Sequence, residues 1–340
     1  MSDLHQASFE WATRPADERF ATLPDMWLAT RQSWENATQS NVALHRLEAI
    51  VADNNQIKLR MPGADDPLTF NNWSMSQFAQ RIRVPMDVLS DLTPSTARTV
   101  INEKLNRSKD NNSQVYYDCT TNRIRAFTSQ EYGRCANHEV IKALMDLPGT
   151  WTNPPARPVS TESPGVRKAT QDDVDRCGIV HPSLGIKVGD SIIDAGLYAG
   201  DRDMFAFMVN PERRIKDGTD EGLCRGFFVR NSEVGNAMFD LCTFLFRALC
   251  GNHIVWGVED VHRLKVKHIG RGTRSRILEG IDTELNNYVN ASTEQEDAFI
   301  RKAKKKEIAE NVDDIVDLFY HDKELLTKKE VEGSFELAVQ

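Results

Sequence analysis

The residues with the clearest chemical potential form a short polar segment between two apolar runs. Arg230, Asn231 and Ser232 follow the strand-like sequence CRGFFV and precede an apolar run that ends at Leu249. We interpret that run as a helix, which would place an arginine, an amide and a hydroxyl beside the free N–H groups of a helix start. Such a site can bind phosphate or another anion. The same residues also suit simple helix capping, with Glu233 favourable to the helix dipole.

A second cluster, which we call the basic segment, covers residues 262–276. Lys265 and Lys267 alternate with apolar residues, so a strand would place both lysines on one face. Gly270 lets the backbone bend and come close to a ligand. The pattern fits a track for a nucleic-acid backbone, or equally a solvated strand whose lysines protect a sheet edge. Its cations are Arg263, Lys265, Lys267, Arg271, Arg274 and Arg276.

Two further groups of residues are of types that suit a buried ion pair or a metal site. Arg247 stands in the apolar run, where an arginine needs a carboxylate, carbonyl or phosphate partner, and we expect an internal salt bridge. The pairs Cys135/His138 and Cys250/His253 could supply four zinc ligands. Their separation matches no common zinc finger, and we predict no metal and no cofactor.

The motifs of the common enzyme classes are missing. The chain has no phosphate loop of the Gly-x-x-x-x-Gly-Lys type, no Gly-x-Ser-x-Gly elbow and no His-Glu-x-x-His. The basic run 301–306 is interpreted as the solvated face of a C-terminal helix. We predict no catalytic residues.

Composition limits the kinds of partner and compartment. The 340 residues carry a net charge of −8, which argues against coating of DNA or anionic membrane by the whole surface. Six cysteines are scattered without a Cys-x-x-Cys pair, the N-terminus has no secretory pattern, and no apolar stretch approaches membrane-spanning length. These features favour the cytoplasm, with reduced thiols.

Periodicity predicts an α+β fold with a mixed, mainly antiparallel sheet, packed helices and a helical C-terminal region. In the N-terminal arm, Asp17 would cap a helical stretch that Pro24 interrupts. The expected organisation is an N-terminal arm over 1–40, an α+β half over 41–148, a proline-rich linker or loop over 149–178, a second α+β half with the basic strand over 179–272, and a helical region over 273–340.

Four segments resemble the phage- and plasmid-borne family called domain of unknown function 932. The segments are TRPADERFATL, SMSQFAQRIRVPMDVLSDL with INEKLN, RIRAFTSQEYGRCANHEVIKAL and RGFFVRNSEVGNAMFDLCTFLFRALCGN. The last is the most specific, similar to the family's NSEVG…RxxCxNG region, although His253 stands where glycine is expected. The resemblance implies a gene of a tailed phage or related mobile element and carries over no catalytic residues. A looser architectural likeness points to phage single-strand annealing proteins.

The leading expectation is therefore a non-enzymatic protein that binds nucleic acid, chiefly single-stranded DNA, in recombination or replication, and that forms a homo-oligomer. Tyr132, Phe227, Phe228 and Trp256 are the candidates for base stacking. The alternative is an interaction protein that targets a host defence or restriction factor, which its negative charge would suit. A metal-dependent nuclease is the third class.

Overall fold

The structure, a computed structural model, describes residues 18–153, 157–158, 166–180, 186–193, 196–215, 223–249, 252–256, 263–291 and 294. The helices in these ranges are α1 (Leu23–Glu35), α2 (Asn72–Ile82), α3 (Met86–Asp91), α4 (Pro94–Arg107), α5 (Asn137–Met145), α6 (Gln171–Val180) and α7 (Thr273–Asn290). None of these helices has both the length and the hydropathy needed to cross a bilayer.

The strands form three sheets. The first has the order β1-β5-β6-β4-β3-β2, the second β10-β11-β12-β13-β14 with β15 also paired to β13, and the third β7-β9-β8. The only parallel pair that the first sheet shows is β4 with β6. The strands are β1 (Ala37–Val42), β2 (Glu48–Val51), β3 (Ile57–Arg60), β4 (Leu68–Phe70), β5 (Ser113–Asp118), β6 (Arg123–Ser129), β7 (Arg157–Pro158), β8 (Val166–Lys168), β9 (Ser191–Ile193), β10 (Leu197–Ala199), β11 (Met204–Ile215), β12 (Leu223–Asn231), β13 (Phe239–Leu249), β14 (Asn252–Trp256) and β15 (Arg263–Val266).

The two larger apolar cores of the described residues pack helices against the sheets. In the first, Phe78 and Ile82, four residues apart on α2, join buried residues of β3 and β6. In the second, Ile277, Ile281 and Leu285 form one face of α7 and pack with buried residues of β12 and β13. The predicted α+β class, with its mainly antiparallel pairing and a C-terminal helix, is confirmed.

The apolar run after the turn at 232–238 is a strand, and the predicted helix there is wrong. Residues Phe239–Leu249 form β13, which pairs with β12 on one side and with β14 and β15 on the other. A short run that is apolar at every position fits a strand buried on both faces as well as a buried helix, and periodicity alone cannot separate the two. Pairing on both edges decides for the strand.

The proline expected to interrupt the N-terminal helix instead lies at its start. Thr22 caps α1, with its Oγ1 accepting a hydrogen bond from the Asp25 N–H at 3.2 Å. Pro24 then occupies the first turn, where its missing N–H costs no hydrogen bond. Asp17 lies outside the described residues.

The described residues from 18 to 214 and from 223 to 291 belong to one compact unit, which contains residues of both predicted α+β halves. Helix α6 begins within the stretch expected to be a linker or loop. Nearly all of the second unit, 215–219 and 292–340, lies outside the described residues, and so does the basic run 301–306.

Candidate functional site

The turn that follows β12 differs from the predicted anion site. Asn231 is the last residue of β12, and the chain passes through a turn into β13 at Phe239. No helix starts beside Arg230 or Ser232, so no free helix N–H groups are available to an anion there. Arg230, Asn231 and Ser232 instead form hydrogen bonds with other residues of the protein.

Arg230 is paired with a buried carboxylate. Its Nε and Nη2 donate to Oδ2 of Asp203 at 2.9 and 2.6 Å, and Asp203 is only 1% exposed. Asn236 Nδ2 donates to the same oxygen at 3.2 Å. A buried carboxylate needs such partners, so the role of Arg230 in the folded protein is to neutralise Asp203.

Asn231 and Ser232 are fully buried and shape the turn. Asn231 Nδ2 donates to Oδ1 of Asn137 at 2.8 Å. Ser232 Oγ donates to the Arg202 carbonyl oxygen at 2.6 Å and accepts from the Asn236 N–H at 3.0 Å. These two predicted binding residues are inaccessible to a nucleic acid.

Glu233 is the centre of a buried polar network that the sequence reading missed. Its Oε2 accepts from Arg125 Nη2 at 3.2 Å and from the Tyr116 hydroxyl at 3.3 Å, while its Oε1 accepts from the Asn137 N–H at 2.6 Å. The Arg125 side chain is 8% exposed and that of Glu233 3%. Burial, and then the negative charge of Glu233, hold the pKa of Tyr116 well above its usual range, so this tyrosine stays a neutral donor. The available signal was Arg125 itself, a cation that stands between the apolar residues Ile124 and Ala126.

A second buried cation adjoins this network. The guanidinium of Arg134 lies 4.2 Å from the ring centre of Tyr116 and 5.2 Å from that of Tyr132. Its Nη1 donates to Gln39 Oε1 at 3.1 Å, whereas its Nε and Nη2 are buried without a hydrogen-bond partner in the described part of the chain. Burial lowers the pKa of Arg134. The two aromatic faces supply part of the stabilisation that a carboxylate would otherwise give.

Tyr132 brings the turn and the basic segment together. Its ring stacks on His268 with centroids 5.3 Å apart, and its hydroxyl donates to the Ser232 carbonyl oxygen at 2.7 Å. The sheet adds a second connection, because Asp240 of β13 lies opposite both Arg230 and Lys265. The two predicted clusters are therefore neighbours.

The basic segment has the alternation that its sequence predicted. Lys265 and Lys267 are exposed, whereas Val266 and His268 are buried. After Gly270, which has a φ of +84° and so favours glycine, Arg271 is exposed as well. Within the described residues, no ion pair involves any of these three cations.

The other cations of the segment are engaged by the protein. Arg263 forms two hydrogen bonds with Asp240, at 2.8 and 2.5 Å, and Arg274 binds Glu139 at 2.6 Å. Arg276 Nη2 donates to a backbone carbonyl of the segment itself at 2.9 Å. Of the predicted contact residues, Lys265, Lys267 and Arg271 remain available.

A short loop, residues 131–133, holds the basic segment in place. The Gly133 N–H donates to the His268 carbonyl at 3.1 Å, and the Gly270 N–H donates to the Glu131 carbonyl at 2.8 Å. A Cβ on Gly133 would lie only 2.3 Å from the Gly270 oxygen and from Thr273 Oγ1. Glycine at 133 therefore permits the close approach of the two backbones.

Two of the four predicted stacking residues cannot stack on a base. Phe227 and Phe228 are both 0% exposed, because both faces of β12 are covered: Phe227 packs in the second apolar core and Phe228 stacks on Phe205 and Phe244. Tyr132 is partly buried, with its ring against His268 and Arg134. The side chain of Trp256 lies outside the described residues.

A cavity of about 380 Å³ opens beside the buried network. Both arginines that line it have carboxylate partners, since Arg123 is paired with Asp201 and Arg125 with Glu233. The cavity consequently offers no uncompensated arginine to a phosphate.

Of the two Cys/His pairs considered above as possible zinc ligands, only Cys135/His138 has described side chains. Cys135 is buried, and burial raises the pKa of its thiol to about 12, which disfavours the thiolate that binds metal. Among the described residues, no cluster of three or more His, Cys, Asp or Glu side chains could hold a metal ion. The side chains of Arg247, Cys250 and His253 lie outside that set.

No family model, no curated protein and no solved structure matches this chain. The chemistry of the described residues is therefore the basis for a function. The decisive contrast is between cations that the fold already neutralises and cations that it leaves in solvent.

Proposed function

We propose that the protein binds single-stranded nucleic acid through Lys265, Lys267 and Arg271, as a phage or mobile-element protein acting in recombination or replication in the host cytoplasm. One observation carries the proposal: these three cations are exposed and have no ion pair within the described residues. Their neighbours Arg263 and Arg274 are instead neutralised by carboxylates.

The chemistry of the segment fits backbone contacts with little sequence preference. Ammonium and guanidinium groups bind phosphates and release condensed counterions, which makes binding strongly dependent on salt. Ile269 is 61% exposed between Lys267 and Arg271 and provides an apolar contact for an unstacked base. Because the net charge is −8, attraction for phosphates depends on local clusters of cations and not on the surface as a whole.

The test is a titration of labelled single-stranded DNA, followed by fluorescence anisotropy at several salt concentrations. The variant Lys265→Ala/Lys267→Ala/Arg271→Ala should lose roughly tenfold or more in affinity at low salt. The slope of log K against log salt should flatten by about 0.7 for each lost phosphate contact. Thermal unfolding should be nearly unchanged, since exposed substitutions cost about 0.5 kcal/mol or less.

The matched control removes three exposed cations elsewhere, with the changes Arg46→Ala, Arg98→Ala and Lys187→Ala. An equal loss of affinity in this control would attribute binding to net charge alone. Unchanged affinity in the first variant would show that the basic segment is only a solvated strand. Equal affinity for a duplex of the same length would remove the assignment to single strands.

A further inference from the structure

A second basic surface lies between the ends of α2 and α4, and it contains none of the residues predicted from the sequence to bind nucleic acid. A cavity of about 670 Å³ is found there, which is a size that accommodates a small ligand. Five cations line it: Arg81, Arg83, Lys104, Arg107 and Lys109.

Two carboxylates share the cavity and neutralise only part of this charge. Asp110 is paired with Arg81 at 3.3 Å and also accepts a hydrogen bond from the Asn112 N–H at 2.7 Å, so both of its carboxylate oxygens have partners within the protein. Glu103 is paired with Arg107 at 2.6 Å, one helical turn away, where both side chains are more than half exposed. An exposed pair of this kind is weak and can be exchanged for a ligand.

The remaining cations, Arg83, Lys104 and Lys109, are exposed and have no ion pair with a described residue. Basic residues near a helix C-terminus commonly offset the helix dipole, which contributes roughly half a negative charge per helix. Two helix ends and two carboxylates amount to about three negative charges against five cations. The surface therefore keeps an excess of roughly two positive charges, beyond what the helix ends require.

The backbone conformation of Arg83 is unusual for an arginine. Arg83 ends α2 in the left-handed conformation, with a φ of 55°, and its N–H bonds to the Gln80 carbonyl at 3.2 Å. Glycine or asparagine takes this conformation with less strain than arginine. The position thus carries a cation where the fold alone would favour a smaller residue.

We infer that this cleft binds the phosphate groups of a ligand. Guanidinium and ammonium groups are the side-chain groups that bind phosphate oxygens. The cleft is lined by three arginines and two lysines. Val100, which is partly buried, adds apolar surface for the rest of the ligand. The phosphates can belong to a small phosphorylated molecule or to a nucleic-acid backbone, and this inference does not rest on the basic segment.

The experiment uses the full chain, with inorganic pyrophosphate as the first probe, in isothermal titration calorimetry at low salt. The variant Arg83→Asn/Lys104→Gln removes two unpaired cations, and asparagine tolerates the left-handed backbone. Pyrophosphate affinity should fall tenfold or more in this variant. The control Arg46→Asn/Arg98→Gln removes two exposed cations outside the cleft and should retain the wild-type affinity.

A second arm measures single-stranded DNA binding by the same two variants. Loss of pyrophosphate binding with unchanged DNA affinity supports a small phosphorylated ligand. Loss of DNA affinity in the cleft variant but not in the control supports a nucleic-acid backbone. The inference is overturned if the cleft variant matches the control for both probes, or if citrate at equal ionic strength binds as tightly as pyrophosphate.

Discussion

The turn at 230–233 and the strand around Lys265 carry similar polar residues and lie side by side, yet their environments are opposite. Arg230 and Glu233 each bind a buried partner of opposite charge, whereas Lys265 and Lys267 project into solvent. Charge inside the fold is fixed by its partners and contributes to folding, while unpaired charge at the surface is free to bind a ligand. Charged side chains thus acquire different roles according to their burial and to the partners that the fold supplies.

The sharpest test of this comparison is the substitution Glu233→Gln. It leaves the Arg125 guanidinium buried without a carboxylate, and loss of one partner of a buried pair costs about 3–5 kcal/mol. The free energy of unfolding, measured with denaturant, should fall by that amount. Glu279→Gln, at an exposed position of α7, should change it by no more than about 0.5 kcal/mol. Equal effects of the two substitutions would mean that the buried network adds no more to the free energy of unfolding than an exposed side chain does.

A smaller effect is expected where the two regions are joined, at Gly133. The change Gly133→Ala places a methyl group against the Gly270 carbonyl and should cost about 1–3 kcal/mol, as overpacking does. The paired control is Gly272→Ala, whose added Cβ meets no atom within 4 Å. If both variants unfold at the same denaturant concentration, the loop 131–133 does not position the basic segment.

The smallest effect concerns pH and His268. Burial, together with the nearby charge of Arg134, lowers the pKa of His268, although its hydrogen bond to the Gly133 carbonyl opposes the shift. The folded protein then binds fewer protons at this site than the unfolded chain. The stability contributed by neutral His268 is complete above the ordinary value of about 6.5 and is lost as the pH falls below it.

The measurement is the free energy of unfolding between pH 7.5 and about 5, in the wild type and in His268→Gln. The decline in stability should be shallower in the variant. His45→Gln, at an exposed histidine, should follow the wild-type curve. A variant curve parallel to the wild type would remove His268 as the source of the acid sensitivity.

The candidate site was only partly readable from the sequence. The pattern Lys265, Val266, Lys267, His268 placed both lysines on the exposed face, because side chains alternate along any strand. Arg263 and Arg274 looked identical in kind, but Asp240 and Glu139 neutralise them from distant parts of the chain. No local pattern reveals a carboxylate that folding brings close.

Local chemistry in the sequence determined the mixed α+β class and the exposed lysines of the basic segment, because alternation of side chains acts over a few positions. Tertiary structure decided the rest. It made the apolar run 239–249 a central strand through pairing on both edges, and it buried Glu233 with Arg125, 108 residues away along the chain. These outcomes depend on which surfaces meet, and burial then determines whether a charge is neutralised or left to solvent.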